Sequence, residues 1–391
     1  MLCTRTLTLA RGRPPVAAAL SLRTLATSSR LLVAAQQASE SQAPPTRSFK
    51  PHFADRDPVL PSDVPAPTSN MLEDWKHSRP HEQWLISHPV YSSSDVDAIK
   101  VVHLEPKTFS DKIARFLVSF ARKGFDFVTG YKHASPEQAQ EEMVKAGKTD
   151  MTLEEKRKQG YLMTEAQWMA RILFLESIAG VPGFTAGILR HLRSLRLMKR
   201  DGGWINSLLA EAENERMHLL TFMQIREPSM FFRLLVLGAQ GVFFNAFFLS
   251  YLLSPRAAHR FVGYLEEEAI VTYTQIVESM RKGEIPEWDA GKKQVPQVAK
   301  DYWRLSDDAT MLDLILAVRA DEAGHRFTNH TLANLSKDDF NPIALKHAPP
   351  TIEGTKLGFT REESLEWARK VQEEMATGVP VVSKGEGEER K

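Results

Sequence analysis

The chain has 391 residues, 42% of them hydrophobic, which is enough for one large domain or two medium-sized ones around a substantial apolar core. Its 50 lysines and arginines nearly balance its 49 aspartates and glutamates, which argues against a strongly basic surface of the kind that binds nucleic acid. The only cysteine is Cys3, so an intrachain disulfide framework, a zinc site of several thiolates and a cysteine-held iron–sulfur cluster are excluded. Any bound metal must be held by carboxylates and histidines.

The N-terminal part of the chain has the composition of a targeting segment followed by an arm. Residues 1–45 contain five arginines before the first acidic residue, Glu40, and are rich in serine, threonine, alanine and leucine, as in a mitochondrial transit peptide. An ordinary flexible arm is the alternative interpretation. Residues 46–108 are dense in proline, serine, aspartate and histidine without periodic apolar positions, which predicts an extended N-terminal arm.

Six segments with helical periodicity follow, and together they predict an all-α fold. The first, residues 109–130, has Ser110 as a candidate N-cap and one apolar face flanked by basic residues, which suits either a bilayer interface or a protein core. The second opens with a capping box at Thr164. The fourth, residues 229–253, is the most apolar, and the last is predicted to begin near Ser306.

The sequence between and after these helices is predicted to be less regular. Residues 283–297 are predicted to form a loop insertion before the last helix. The C-terminal segment, residues 337–391, is predicted to be partly helical and partly disordered. The main domain is therefore expected to span residues 109–336.

Two of the predicted helices contain the pattern Glu-x-x-His. It occurs as Glu215 with His218 and as Glu322 with His325. A spacing of three residues places both side chains of a pair on one face of a helix, where they can bind one metal centre. A single match of this kind is expected by chance, whereas two matches on separate amphipathic helices indicate a shared site.

The two alternate helices each contribute a glutamate. Glu176 lies among isoleucine, leucine and phenylalanine, where a carboxylate is costly unless a metal or a cation such as Arg171 compensates it. The other is one of Glu266, Glu267 and Glu268, because successive residues point about 100° apart and at most two of the three face one centre. The resulting order is that of ferritin-like four-helix bundles that bind two metal ions, and these donors suit iron or manganese.

Four motifs in this order resemble those of the alternative oxidase family, particularly of its fungal members. They are LES at 175–177, NERMHL at 214–219, LEEEA at 265–269 and ADEAGHR at 320–326. The resemblance covers residues 109–334 and implies a ubiquinol:oxygen oxidoreductase that reduces O2 to water, is insensitive to cyanide and pumps no protons. It also implies a centre of two iron ions with the ligands Glu176, Glu215, His218, Glu266, Glu322 and His325.

The resemblance further implies roles for residues around this centre. Tyr273 matches the redox-active tyrosine of the family, and it lies seven residues after Glu266 and therefore on the same helix face. The residues of the family's quinol pocket are matched by Arg171, His259 and Thr272. The partners that orient its histidine ligands are matched by Asn214 and Asp321.

The helix at 229–253 is long and apolar enough to cross a bilayer. A single crossing would separate His218 from Glu266, and a second crossing by the helix with Glu176 would bury that carboxylate in hydrocarbon. We therefore predict attachment to the membrane interface through this helix and the one at 109–130. The family resemblance implies a homodimer on the matrix face of the mitochondrial inner membrane.

Two other functions are compatible with the same residues. A di-iron hydroxylase of a quinone precursor uses the same ligand order, but its product is a hydroxylated quinone. A non-catalytic protein, such as a metal-storage or scaffolding helical membrane protein, would show no quinol turnover. Product analysis separates the first of these from a quinol oxidase, and a turnover assay separates the second.

Overall fold

The computed structural model consists of α-helices and connecting segments. Its described residues contain twelve α-helices, two short 3₁₀ helices and no β-strand, so the prediction of an all-α fold is confirmed. The predicted transit peptide, most of the predicted arm and the end of the C-terminal segment lie outside these residues. The described residues are 88–129, 136–148 and 150–377.

Four long helices form a ferritin-like bundle. Helix α5 packs mainly against α6, and α8 packs mainly against α10. Almost every side chain of α10 is buried, so this helix lies in the interior of the fold. The helices are α1 (Ser93–Asp97), α2 (Phe109–Thr129), α3 (Pro136–Lys145), α4 (Leu153–Gln159), α5 (Glu165–Leu197), α6 (Trp204–Ile225), α7 (Met230–Leu253), α8 (Pro255–Arg281), α9 (Gln297–Trp303), α10 (Met311–Asn334), α11 (Pro350–Thr355) and α12 (Arg361–Thr377).

Side-chain caps fix where the helices begin. The predicted capping box of α5 is present, because Thr164 and Gln167 each accept a hydrogen bond from the other's backbone N–H. In α2 the same reciprocal arrangement is made by Thr108 and Asp111. The prediction that Ser110 is the N-cap was wrong, since a capping box satisfies two N–H groups whereas a lone serine satisfies one.

The start of α10 also differs from the prediction. The helix begins at Met311 instead of near Ser306. Thr310 is its N-cap and forms a capping box with Asp313. The Ser306 hydroxyl instead donates a hydrogen bond to Asp308 within the preceding turn, which keeps that turn out of the helix.

Helices α5 and α6 approach each other closely at a glycine. A Cβ atom added at Gly183 would lie 2.6 Å from the carbonyl oxygen of Leu208 and 3.0 Å from the Cβ of Ala212. Only a residue without a side chain permits this approach. The close packing keeps α5, which carries Glu176, against α6, which carries Glu215.

Replacing Gly183 with alanine is therefore expected to lower the free energy of unfolding by about 1–3 kcal/mol, as overpacked sites generally do. The measurement is thermal or denaturant unfolding of the purified protein. Gly238→Ala on α7 is the matched control, because a Cβ there meets no atom within 4 Å. Equal stability of the two variants would contradict the importance of this contact.

The insertion before α9 is anchored to the rest of the protein. It contains a 3₁₀ helix, Pro286–Trp288, and the side chains of Ile285 and Trp288 are buried. Arg157 of α4 donates hydrogen bonds of 2.6 and 2.9 Å to the carboxylate of Glu287. The insertion is thus a packed segment with an apolar anchor and a charged one.

Both ends of the described chain pack against α10. Before α2, the Arg319 side chain donates a hydrogen bond of 2.8 Å to the carbonyl oxygen of Val96. After α10, the ring of Phe359 packs edge-on against Phe327, with 4.8 Å between ring centroids. The described part of the C-terminal segment is helical in α11 and α12.

Within the described residues, two helices are long and apolar enough to cross a membrane, α5 and α7. The two helices differ in burial: 56% of the most apolar stretch of α5 is buried inside the protein, but only 6% of the most apolar stretch of α7. Helix α2 also exposes large apolar side chains. The exposed apolar faces of α2 and α7 comprise Phe109, Ile113, Phe116 and Phe120 on α2 and Phe231, Leu234, Leu237, Val242 and Leu249 on α7.

Candidate metal centre

The structure brings the six side chains predicted as metal ligands together in the middle of the bundle. Helix α5 contributes one, α6 two, α8 one and α10 two, and all six are buried. They form two groups of four, and within each group the donor atoms lie within 4.8 Å of one another. Both groups contain Glu215 and Glu322; the first adds Glu176 and His218, and the second adds Glu266 and His325.

The imidazole rings face the shared carboxylates through the same ring nitrogen. His218 Nδ1 lies 3.2 Å from Glu176 Oε2 and 3.4 Å from Glu215 Oε2. His325 Nδ1 lies 2.7 Å from Glu215 Oε1 and 3.7 Å from Glu322 Oε2. Glu215 therefore presents one oxygen to each histidine, so its carboxylate could be shared by two metal ions held near the two imidazoles.

Five of the donor atoms at this centre are buried without a hydrogen-bond partner among the described residues. Among the described side chains, such buried atoms include Glu176 Oε2, both carboxylate oxygens of Glu215, and the Nδ1 atoms of His218 and His325. A buried polar atom without a partner is costly, and proteins rarely retain several in one place without a reason. Metal ions would coordinate these atoms, so the residues present fit a metal centre.

The pKa values of the buried carboxyl groups also fit a metal centre. Burial raises the pKa of Glu176 to about 8, and burial and the nearby Glu322 raise that of Glu266 well above its ordinary value. Burial would also raise the pKa of Glu215, but the imidazoles of His325 and His218 lower it below its ordinary range. Four carboxyl groups thus crowd around two imidazoles, and bound cations would favour the ionised form of the carboxyl groups.

Asp321 lies behind His218. Its Oδ2 atom is 2.9 Å from His218 Nε2, and it accepts hydrogen bonds from Asn214 Nδ2 at 3.1 Å and Trp303 Nε1 at 2.8 Å. Burial would raise the pKa of Asp321, but His88 and His218 hold it well below its ordinary value. An ionised Asp321 keeps the proton of His218 on Nε2 and leaves Nδ1 free for a metal, as the predicted orienting role of Asn214 and Asp321 requires.

Tyr273 lies next to the centre, and its hydroxyl donates a hydrogen bond to Glu176 Oε1. The side chain is buried. Burial and the neighbouring carboxylates, Glu176 foremost, raise the pKa of Tyr273 well above its ordinary value. The phenol therefore stays protonated at neutral pH, one hydrogen bond away from a predicted ligand.

A cavity of about 420 Å³ adjoins the centre. Its walls are mostly apolar side chains of α2, α5, α7 and α8, and they include Glu176 and Tyr273. Two of the predicted quinol-pocket residues, Arg171 and Thr272, also line it. The cavity is therefore large enough for an aromatic ring and has polar groups at a few defined positions.

The third predicted pocket residue, His259, does not line this cavity. Its Nε2 lies 3.1 Å from the Tyr251 hydroxyl, and its Nδ1 lies 3.1 Å from Asn329 Oδ1. Burial lowers the pKa of His259 to about 4, so the imidazole is neutral. The structure thus does not bring it together with Arg171 and Thr272, and it gives His259 a place in a hydrogen-bond network between α7, α8 and α10.

Sequence reasoning did not assign two charged residues of α2 to the site: Arg122, which lines the cavity, and Asp126, which pairs with the cavity residue Arg171. Arg122 Nη1 donates a hydrogen bond of 3.0 Å to Glu268 Oε2, and both residues line the cavity. Arg171 Nη2 donates one of 2.5 Å to Asp126 Oδ1. Arg122 and Asp126, four residues apart on a largely apolar helix, were the available signal, because such pairs on one face need a reason.

Glu211 is another buried carboxylate beside the centre, and the sequence analysis did not identify it. Burial raises the pKa of Glu211 to about 7, although the nearby His325 lowers it in part. It accepts a hydrogen bond of 2.8 Å from Asn329 Nδ2. Its position four residues before Glu215, and seven before His218, places it on the same face of α6, which is the signal that could have revealed it.

Four helices that direct four carboxylates and two imidazoles into a buried centre define the class of metal-binding carboxylate bundles. Residues 91–334 match the sequence profile of the family described as alternative oxidase. The chain therefore belongs to the alternative oxidase family, a family of oxidoreductases, as the resemblance predicted.

The chain is similar to mitochondrial alternative oxidases of several fungi. The mitochondrial alternative oxidase of Cryptococcus neoformans is 53% identical over 293 residues, which are 75% of this chain and 71% of that protein. That of Emericella nidulans is 50% identical over 73% of this chain and 75% of its own length. That of Aspergillus niger is 48% identical over 72% of this chain and 76% of its own length.

Proposed function

We propose that this protein is a mitochondrial ubiquinol:oxygen oxidoreductase that reduces O2 to water at a di-iron centre and pumps no protons. The observation that carries the proposal is the two donor groups that share Glu215 and Glu322 directly beside an apolar cavity of about 420 Å³. The mitochondrial names of its relatives support a mitochondrial location. Each ubiquinol would give two electrons and two protons, so two ubiquinols reduce one O2 to two waters.

In the proposed centre, bound iron would react with oxygen, and the protein would position the ligands of the iron. Bound iron would supply one-electron redox chemistry and open coordination positions for O2. The chain buries the centre, excludes bulk water and orients the imidazole of His218 through Asp321. The residues that would hold the two iron ions are Glu176, Glu215, His218, Glu266, Glu322 and His325.

Tyr273 is suited to pass protons and electrons between the cavity and the centre. It lines the cavity and donates a hydrogen bond to Glu176. Because its raised pKa keeps the phenol protonated, the hydroxyl holds a proton that can move to the carboxylate when an electron leaves the ring. The proposed catalytic residue is therefore Tyr273.

The cavity also supports a quinol as the substrate. The guanidinium of Arg171 lies 4.5 Å from the ring centroid of Phe125 and is paired with Asp126, so its orientation is fixed. Thr272 and Glu268 offer oxygen atoms that can accept hydrogen bonds from the hydroxyls of a quinol. The apolar walls suit the ring and the first part of an isoprenoid tail.

The same helices support attachment to one leaflet of a membrane. Helices α2 and α7 expose their apolar faces, and residues of both, including Val118 and Phe243, line the cavity. A quinol dissolved in the bilayer would thus enter between the helices that lie in the interface. This arrangement agrees with a monotopic protein on the matrix face of the inner membrane and needs no crossing of it.

A second apolar stripe supports a homodimer. On α5, the half-exposed side chains of Phe184, Ile188, Leu192 and Leu195 recur at helical spacing on one face, and Leu209 of α6 is exposed as well. This stripe lies on a helix whose other faces are packed into the bundle, so it is a candidate surface for a second copy of the chain.

The proposal is tested by oxygen uptake of the purified, iron-loaded protein with ubiquinol in the presence of cyanide. The wild type is expected to consume oxygen, and Tyr273→Phe is expected to lose at least about 100-fold, since general acid–base groups contribute 10²–10⁴-fold. Tyr264→Phe is the matched control, because that hydroxyl is buried without a hydrogen-bond partner among the described residues. Unchanged iron content in all three proteins would assign the loss to the phenol.

Two results would contradict the proposal. The first is an absence of oxygen uptake by folded, iron-loaded wild-type protein given ubiquinol. The second is a hydroxylated quinone as the product, which would identify the protein as a di-iron hydroxylase. Mass spectrometry of the recovered quinone separates simple oxidation from hydroxylation.

A further inference from the structure

We propose that the segment before the bundle completes the metal centre, with His88 and Tyr91 acting as positioning residues for His218 through Asp321. This inference rests on the proposed metal centre but not on the identity of the substrate. The segment comprises residues 88–108, which precede α2 and include α1. Its contacts with Asp321 join parts of the chain that are more than 200 residues apart.

Asp321 divides its hydrogen bonds between its two oxygen atoms. Oδ2 faces His218 and also accepts hydrogen bonds from bundle-side residues, Asn214 of α6 and Trp303 of α9. Oδ1 accepts one of 2.9 Å from His88 Nε2 and one of 2.5 Å from the Tyr91 hydroxyl. Among the described residues these two are the donors to Oδ1, so the segment before the bundle supplies half of the environment of the carboxylate.

Both donors are held in place by their own surroundings. His88 and Tyr91 are buried, and the His88 ring packs against Tyr302 with 4.6 Å between ring centroids. The carbonyl oxygen of Pro89 lies 2.7 Å from His88 Nδ1. Because both ring nitrogens of His88 are engaged, the imidazole has one orientation, and Nε2 points at Asp321.

Helix α10 itself holds the segment against the centre. Arg319, two residues before Asp321, donates a hydrogen bond of 2.8 Å to the carbonyl oxygen of Val96. Arg326, one residue after His325, donates one of 3.1 Å to the carbonyl oxygen of Lys100. The helix that carries two predicted metal ligands thus also carries the contacts that dock His88 and Tyr91.

The physical consequence concerns the orientation of Asp321. With donors on both oxygens, the carboxylate cannot rotate without breaking hydrogen bonds on each side. Without His88 and Tyr91, Oδ1 is buried and unpaired, and Asp321 is free to turn towards other donors. His218 would then lose its fixed partner on Nε2, and loss of such partners typically weakens metal binding 10–100-fold.

The test compares Fe²⁺ binding by the full-length wild-type protein and variants, measured anaerobically by competition with a chelator. His88→Phe/Tyr91→Phe is expected to bind Fe²⁺ 10–100-fold more weakly, and its kcat is expected to fall with little change in the KM for ubiquinol. His88→Gln in the Tyr91→Phe background is expected to recover part of the affinity, because its amide can donate to Oδ1.

Two controls separate positioning from general damage. Tyr264→Phe removes a buried hydroxyl that has no hydrogen-bond partner among the described residues, and it is expected to leave Fe²⁺ affinity unchanged. Arg319→Met removes one docking contact while it leaves both donors to Asp321, so its effect on Fe²⁺ affinity is expected to be much smaller than that of the double variant.

Wild-type Fe²⁺ affinity in the double variant would overturn the inference. If the double variant does not fold, Tyr91→Phe alone is used for the test, because it loses only one hydroxyl. Wild-type Fe²⁺ affinity of this variant would overturn the inference, and weaker Fe²⁺ binding would support it. An absence of quinol oxidation by wild-type protein that binds iron would contradict the proposed reaction and leave this comparison of affinities intact.

Discussion

Glu215→Ala is expected to lose at least one of the two metal ions and to lower oxygen uptake by more than about 100-fold. Glu215 belongs to both donor groups and lies within 3.4 Å of both imidazoles. Removal of a residue that only orients a metal ligand typically lowers metal affinity or activity 10–100-fold. Removal of a ligand that both groups share is therefore expected to have a larger effect. Iron content per chain and oxygen uptake with ubiquinol measure the two effects.

Glu213→Ala is the matched control on the same helix. Its carboxylate is paired with Arg216 and does not belong to either donor group. Because partly exposed ion pairs contribute little, this variant is expected to retain both iron ions and wild-type turnover. Two iron ions and normal turnover in Glu215→Ala would refute a centre bridged by this residue.

Removal of the metal is expected to make the stability of the protein depend strongly on pH. In the metal-free protein the pKa of Glu176 is raised to about 8 and that of Glu266 is raised well above its ordinary value, chiefly by burial. Burial would lower the pKa values of His218 and His325, but the adjacent carboxylates raise them. Groups with a raised pKa in the folded state contribute stability below their unfolded-state pKa and lose it as pH rises through the folded value.

Relative to the iron-loaded protein, the metal-free protein is therefore expected to lose stability as pH rises from about 5 to 8. Each unit of pKa shift corresponds to about 1.4 kcal/mol, so the coupled cluster is expected to cost a few kcal/mol in total. Bound metal compensates the carboxylates, and the difference in Tm between iron-loaded and metal-free protein should grow by roughly 5–10 °C over this range.

The control for this experiment is metal-free Glu266→Gln, which removes one of the ionising groups. Its Tm is expected to fall less between pH 5 and 8 than that of the metal-free wild type. Differential scanning calorimetry at several pH values measures both. A Tm difference that stays constant with pH would show that the cluster is not a source of electrostatic strain in the absence of metal.

The positions of the candidate metal ligands could be predicted from the sequence because helix geometry is local. The spacing of Glu215 and His218, like that of Glu322 and His325, fixes a common face without knowledge of any other helix. An apolar neighbourhood indicated that Glu176 is buried. The same local logic located the capping box of α5, and the structure contains it at Thr164.

Contacts between distant parts of the chain could not be predicted from the sequence. Helical spacing alone left three candidates at Glu266, Glu267 and Glu268, and only the family resemblance selected the first. His259 was assigned to the quinol pocket by resemblance, whereas its hydrogen bonds to Tyr251 and Asn329 depend on how α7, α8 and α10 pack. A periodic pattern gives the buried face of a helix but not the side chain that lies opposite.

Because residues 88–108 pack along α10, an active fragment of this enzyme is expected to need them in addition to the helical bundle. Sequence patterning places the beginning of the main domain at residue 109, where helical periodicity starts. A fragment trimmed to that boundary would keep every predicted iron ligand yet remove both donors to Asp321 Oδ1, His88 and Tyr91. Expression and crystallisation of an active fragment should accordingly begin upstream of His88.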